Sequence, residues 1–151
     1  PEYFNTFGGN PVCCAAGLAV LEAIEADGLR ANATRVGAEL RKSFERLMDL
    51  KGARCVVGDV RGRGLFLGVD LVTDAASKAP ATAEASWICA RLVTRHRILT
   101  SLDGPGDNVL VVKPPLCFSL SDAAEFLAAL EEGLVAANAL PEGFSFERTP
   151  T

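Results

Sequence analysis

The sequence predicts a two-layer α+β domain, in which a small, mainly antiparallel sheet is covered by helices. Two observations carry that reading. The hydrophobic period is close to 3.6 from Pro11 to Leu47, becomes 2 between Cys55 and Val72, and switches between the two afterwards. No linker or internal repeat divides the 151 residues, a length that suits one domain with its own core. The resulting order is two long helices followed by β-β-α-β-β-α.

From Pro11 to Ala26 the chain is apolar around most of a helical wheel, with Glu22 and Glu25 marking a narrow polar side. Such a helix is expected to be buried on most faces, where Cys13 and Cys14 act as small apolar residues. Asp27-Gly28 interrupts it. Leu29, Ala33, Val36, Leu40, Phe44 and Leu47 then recur at helical spacing as the core stripe of a second helix. Its other face, Arg35, Glu39, Arg41, Lys42, Glu45 and Arg46, reads as solvated surface.

After Gly52, Cys55-Val56-Val57 and the alternating run Leu65, Leu67, Val69 and Leu71 read as two strands. Arg61-Gly62-Arg63-Gly64 joins them as a tight turn with two solvent-facing arginines. Pro80 opens a helix through Ala85, Ile88 and Leu92 to His96. On it Trp87 packs, and His96 reads as a partner of the C-terminal dipole. Arg97 to Ser101 reads as a short strand, Asp103-Gly104-Pro105-Gly106 as a turn, and Asn108 to Lys113 as a strand ended by Pro114-Pro115. Ser119 to Asp122 supply N-cap candidates, with Glu125 three residues beyond Asp122, for a last helix that buries Phe126, Leu127, Leu130, Leu134 and Ala137. From Pro141 onward there is no period, and a frayed tail is expected.

Composition excludes several classes. The chain is 23% charged and 49% hydrophobic, which is globular and not disordered. Its longest apolar run falls far short of the roughly 20 residues that cross a bilayer. A net charge of -4 with no basic run offers nothing to a phosphate backbone, so neither membrane nor nucleic acid is an expected partner. Five cysteines without C-x-x-C spacing and a single histidine give no zinc set and fit a reducing compartment, expected to be the cytoplasm. The first residue is Pro1 and the only methionine is Met48. The chain is therefore expected to be a piece of a longer protein, with any mitochondrial presequence upstream.

Chemistry-bearing motifs are few. There is no nucleophile elbow, Walker loop, H-E-x-x-H or dinucleotide fingerprint. Arg61 to Gly64 leads into a strand, whereas a phosphate cradle needs a helix N-terminus. Asn5-Thr6-Phe7-Gly8-Gly9-Asn10-Pro11 is more informative. Two glycines allow close backbone approach, Asn10 can cap, Pro11 suits the first helical position, and the Thr6 hydroxyl is an extra donor. Such a loop either holds an anion, a phosphate above all, or simply starts a helix.

Three motifs in order carry a resemblance. Glu2-Tyr3-Phe4-Asn5-Thr6-Phe7-Gly8-Gly9-Asn10-Pro11-Val12, Gly58 to Leu71 with its R-G-x-G-L core, and Val112-Lys113-Pro114-Pro115-Leu116 resemble the C-terminal part of class III (fold type I) pyridoxal-phosphate-dependent aminotransferases. The resemblance runs from Glu2 to about Leu140. Lys78 to Ala85 and Leu102-Asp103-Gly104-Pro105 with Asn108-Val109-Leu110 are most similar to the phospho-lyases of ethanolamine phosphate and phosphohydroxylysine. The resemblance implies the C-terminal small domain of a fold type I enzyme. Residues 1–10 would be the cofactor-phosphate loop, 11–140 the small domain and 141–151 the tail, with the large domain upstream.

It further implies pyridoxal 5'-phosphate as cofactor, a small-molecule amine as substrate, and a homodimer in which Thr6, with the backbone amide of Asn5, contacts the cofactor phosphate of the neighbouring subunit. A lyase of this kind removes a proton beside the substrate amine and expels phosphate by β-elimination. A transaminase transfers the amino group instead. Many family members carry a carboxylate-binding arginine three residues before the first proline of the last strand; here that residue is Val111, which cannot form a bidentate clamp. None of Lys42, Lys51, Lys78 and Lys113 matches the family's Schiff-base lysine motif. No catalytic residue is therefore assigned within this chain, which is expected to be inactive alone. An ω-amine or 4-aminobutyrate transaminase stands as the alternative enzyme. A non-catalytic dimerisation or small-ligand regulatory module is the alternative of another class.

Overall fold

A computed structural model describes residues 4–49 and 55–146. Four helices, α1 (Pro11–Ala26), α2 (Leu29–Leu47), α3 (Thr82–His96) and α4 (Leu120–Ala137), accompany four strands, β1 (Val56–Arg63), β2 (Phe66–Val72), β3 (Ser101–Asp103) and β4 (Val109–Val112). The sheet is antiparallel throughout, in the order β1-β2-β4-β3. The α+β layering predicted from the sequence holds.

Period-2 alternation puts Leu67, Val69 and Leu71 of β2 into the core while Phe66 stays exposed. The helices supply the facing stripe: Val36, Leu40, Phe44 and Leu47 of α2, Ala85, Ile88 and Leu92 of α3, and Phe126, Leu130, Leu134 and Ala137 of α4 are all buried. Phe44 and Phe126 meet edge to face, with ring centroids 6.2 Å apart, which joins α2 to α4 at the favoured aromatic geometry.

The β1–β2 hairpin is seated directly on α2. Its strands close at Arg63↔Phe66, and Gly64, first of the two loop residues, has φ +56°, a conformation that glycine adopts without a Cβ penalty. Gly37 of α2 lies beneath this turn so closely that a Cβ there would overlap the Gly64 carbonyl. Arg41, one helical turn further on, donates to the carbonyls of Val60 (3.0 Å) and Gly62 (2.7 Å). Arg41 is thus a clamp on β1 and not part of a uniformly solvated face.

Four further details differ from the sequence reading. Arg61-Gly62-Arg63 belongs to β1, not to the turn, and Arg61 is ion-paired with Asp59 and Asp70 at 3.0 and 3.1 Å. Residues 97–100 are not a strand. Arg97 takes the left-handed conformation (φ +58°), and its N–H and that of Ile98 return to the Val93 and Leu92 carbonyls, a closure of α3 that uses up the backbone a strand would need. Pairing begins only at Ser101. Pro80 precedes α3 and bridges to Val72 instead of opening the helix. The cap of α4 is the reciprocal Ser119–Asp122 box, and Glu125 takes no part in it.

Helix α1 contains no buried residue. Val12, Leu18, Val20 and Leu21 are all more than half exposed, and Cys13 and Cys14 are exposed as well. The expectation of burial fails for a plain reason: among the described residues α1 meets the beginning of α2 and little else. At the other end, residues 141–146 include a turn from the Phe144 N–H to the Pro141 carbonyl. The rest of the predicted tail, 147–151, lies outside the described residues.

Because no smaller residue exists to relieve the contact, Gly37→Ala should force α2 and the hairpin apart and lower stability by about 1–3 kcal/mol. Urea denaturation of the variant beside wild type checks this as a fall in midpoint.

Candidate functional site

Two regions can carry chemistry. The first is the loop before α1. The Asn5 side-chain oxygen accepts the Phe7 N–H at 3.1 Å, and the Asn5 main-chain carbonyl accepts the Gly8 N–H at 3.2 Å. Gly9 turns the chain with φ +75°. Asn10 then caps α1, its side chain accepting the Cys13 N–H at 2.9 Å, with Pro11 at the first helical position.

Thr6 sits on this turn, exposed, and its hydroxyl has no hydrogen bond to the described residues. The donor chemistry fits a phosphate: a hydroxyl without a partner among the described residues precedes a helix N-terminus by four residues in the chain, and residues 4–10 include no carboxylate. Phe4 and Phe7 on either side are 89% and 76% exposed, so the loop is an outward-facing arm. Asn5, which precedes Thr6, belongs to the same turn. Asn5 spends its side-chain oxygen shaping the turn that presents Thr6.

The second region is a cleft of about 850 Å³ between the C-terminal end of α3, the ends of β3 and β4, and the start of α4. Val111, Phe118 and Phe126 line it together with His96 and the charged residues Arg97, Lys113, Asp122 and Glu125. Asp122 is committed to its cap: the Ser119 N–H and hydroxyl hold its carboxyl below the usual range.

Next to the cleft residue His96, Glu132 of α4 is ion-paired with Arg91 and hydrogen-bonded by His96 Nε2 at 2.9 Å. These two partners, Arg91 first, push its carboxyl down to about 2. Arg91 in turn lies 5.2 Å from the Trp87 ring centroid. His96, read from the sequence as a dipole partner, therefore cross-links α3 to α4. The sequence alone could not pair it with a residue 36 positions away.

Of the lysines, Lys42 is exposed on α2, Lys78 donates to the Gly58 carbonyl at 2.8 Å, and Lys113 is exposed at the cleft. Lys51 lies outside the described residues. Cys55 is buried, and desolvation pushes its thiol up to about 12, so it is no nucleophile. Among the described residues no cluster could hold a metal ion, and no helix is long and apolar enough to cross a membrane.

A family model described as aminotransferase class-III matches residues 1–134. The chain belongs to the class-III aminotransferases. These are pyridoxal-phosphate-dependent enzymes. This class-III chain is 46% identical over 134 residues to alanine–glyoxylate aminotransferase 2-like of Drosophila melanogaster, covering 89% of the chain and 26% of that protein. It is 38% identical to ethanolamine-phosphate phospho-lyase homolog 1 of Caenorhabditis elegans, covering 90% of the chain and 28% of that protein.

A phospholyase from Arthrobacter, solved in complex with phosphoethanolamine, superposes with a TM-score of 0.80 at 42% identity, over 92% of this chain and 31% of the solved one. The chain thus spans between about a quarter and a third of the length of these relatives. Both chemistries weighed from the sequence, lyase and transaminase, occur among the proteins it resembles.

The Glu132 cluster has a pH signature. Its carboxyl is depressed from 4.5 to about 2 in the folded state. The stability it contributes is therefore fully present above about pH 4.5 and is lost as the pH falls through about 2. Melting temperatures of wild type and Glu132→Gln should differ most near neutral pH and converge toward pH ~2; a gap independent of pH would mean that the contact acts through packing alone.

Proposed function

We propose that this chain is the C-terminal portion of a homodimeric pyridoxal-phosphate enzyme that acts on a small phospho-amine. Residues 1–10 form the cofactor-phosphate loop, and residues 11–140 form the small domain that walls the substrate entrance. The Thr6 hydroxyl donates to the cofactor phosphate of the neighbouring subunit, and the backbone amide of Asn5 assists. The exposure of Phe4 and Phe7 around an unsatisfied hydroxyl supports an arm that reaches a second subunit. The Schiff-base lysine and the acid facing the pyridine nitrogen come from the rest of the protein, so this portion is inactive alone.

When bound, the cofactor supplies the electron sink that makes the carbon beside the substrate amine acidic. This chain's residues orient the substrate and keep water from the entrance. The observation that carries the lyase reading is Val111, half-buried on β4 in the wall of the cleft. An apolar side chain there gives a substrate carboxylate no bidentate partner, and ethanolamine phosphate has no carboxylate to place. The transaminase reading is favoured by the 46% identity to a protein named as an aminotransferase.

In the full-length enzyme, incubation with ethanolamine phosphate should release inorganic phosphate and ammonia with no keto-acid acceptor present. Strict dependence on an acceptor would overturn the lyase reading in favour of the transaminase.

Thr6→Val in the same protein should weaken cofactor retention by about tenfold, the worth of one hydrogen bond to a charged group. Cofactor absorbance after dialysis checks this, and unchanged retention would remove Thr6 from the site.

A further inference from the structure

We propose that Lys113 and Arg97, which both line the cleft, form the pair of cations that recognises the substrate phosphate there; this rests on the phospho-amine reading above and deepens it. Lys113 follows the last residue of β4. It stands two positions beyond Val111, and both residues line the cleft. Arg97 enters from the end of α3. It holds a left-handed conformation there, φ +58°, at a position where helix termination alone favours glycine.

The charges around the cleft single out this pair. His96 is engaged by Glu132, and Asp122 is engaged by the Ser119 N–H and hydroxyl. Arg97 and Lys113 have no ion pair with the described residues. Glu125 is the remaining carboxylate of the wall, on α4 almost one helical turn past Asp122. Two cations without an ion pair to the described residues therefore share the cleft with one such carboxylate and with the apolar Val111, Phe118 and Phe126.

A dianion held in the cleft would meet two positive charges against one negative. The apolar residues also suit the short carbon chain that separates amine from phosphate. An ammonium acts as a point charge on phosphate and a guanidinium as a fork, so the two supply complementary contacts.

The test uses the full-length holoenzyme with ethanolamine phosphate as substrate and inorganic phosphate as a second probe. Lys113→Met should raise KM about ten- to a hundredfold, with kcat within about twofold and the cofactor absorbance unchanged; Lys113→Arg should recover most of the loss. Lys42→Met, on the far helix face, should change neither constant. Inorganic phosphate should raise the melting temperature of wild type but not that of Lys113→Met/Arg97→Met.

If wild type releases phosphate and the double variant keeps the wild-type KM, the cation pair is overturned while the lyase reading stands. If wild type releases no phosphate without an acceptor, the lyase reading fails. The inorganic-phosphate titration then decides the cation pair by itself, and an equal thermal shift in wild type and double variant overturns it.

Discussion

The close approach of α2 to the β1–β2 turn is the contact on which the rest of the domain depends. Gly37 has no side chain to hold the helix away from the Gly64 carbonyl, so the helix axis comes down onto the end of the hairpin. Val36, Leu40 and Phe44 can then enter the layer that Val57, Leu67, Val69 and Leu71 present. With α2 fixed, Phe44 meets Phe126 and α4 has its place. Asn32 at the other end of α2 donates to the Leu116 and Phe118 carbonyls, both at 2.9 Å, and so anchors the segment that follows β4. The cleft lies between these anchored pieces, and its shape follows from the seat of one helix on one turn.

Most of this fold was legible in the chain because burial leaves a periodic trace. The α2 stripe, the β2 alternation and the α4 face were each read from spacing, and each is buried. What spacing does not record is polar partnership over long separations. Arg41 looked like one more charge on a mixed face, although its guanidinium caps two strand carbonyls. Asn108 looked like a strand opener, yet it is buried and donates to Asp70 and to the Leu71 carbonyl. The strand expected from Arg97 was lost to a helix ending whose left-handed residue is an arginine, where a glycine would have announced the turn.

Of the candidate site, the loop was legible and the cleft was not. Asn5 to Pro11 carries its meaning locally, in glycines, a cap and a proline at fixed offsets, and the structure forms that turn. The cleft draws its walls from segments separated by up to some thirty residues, and no local pattern marks it. The apolar helix α1 shows the same limit from the opposite side. Its composition calls for burial that the described residues do not provide, so a free-standing regulatory module would leave a large apolar surface in water.

Three carbonyls of β1 are occupied by side chains. Gly58 is taken by the Lys78 ammonium, and Val60 and Gly62 are taken by Arg41. A sheet edge with free carbonyls is a template on which another chain can add a strand. Here an added strand would first have to displace two cations from three acceptors, and the opposite edge, β3, is only three residues long. The β1 edge is therefore protected against growing sideways into aggregates.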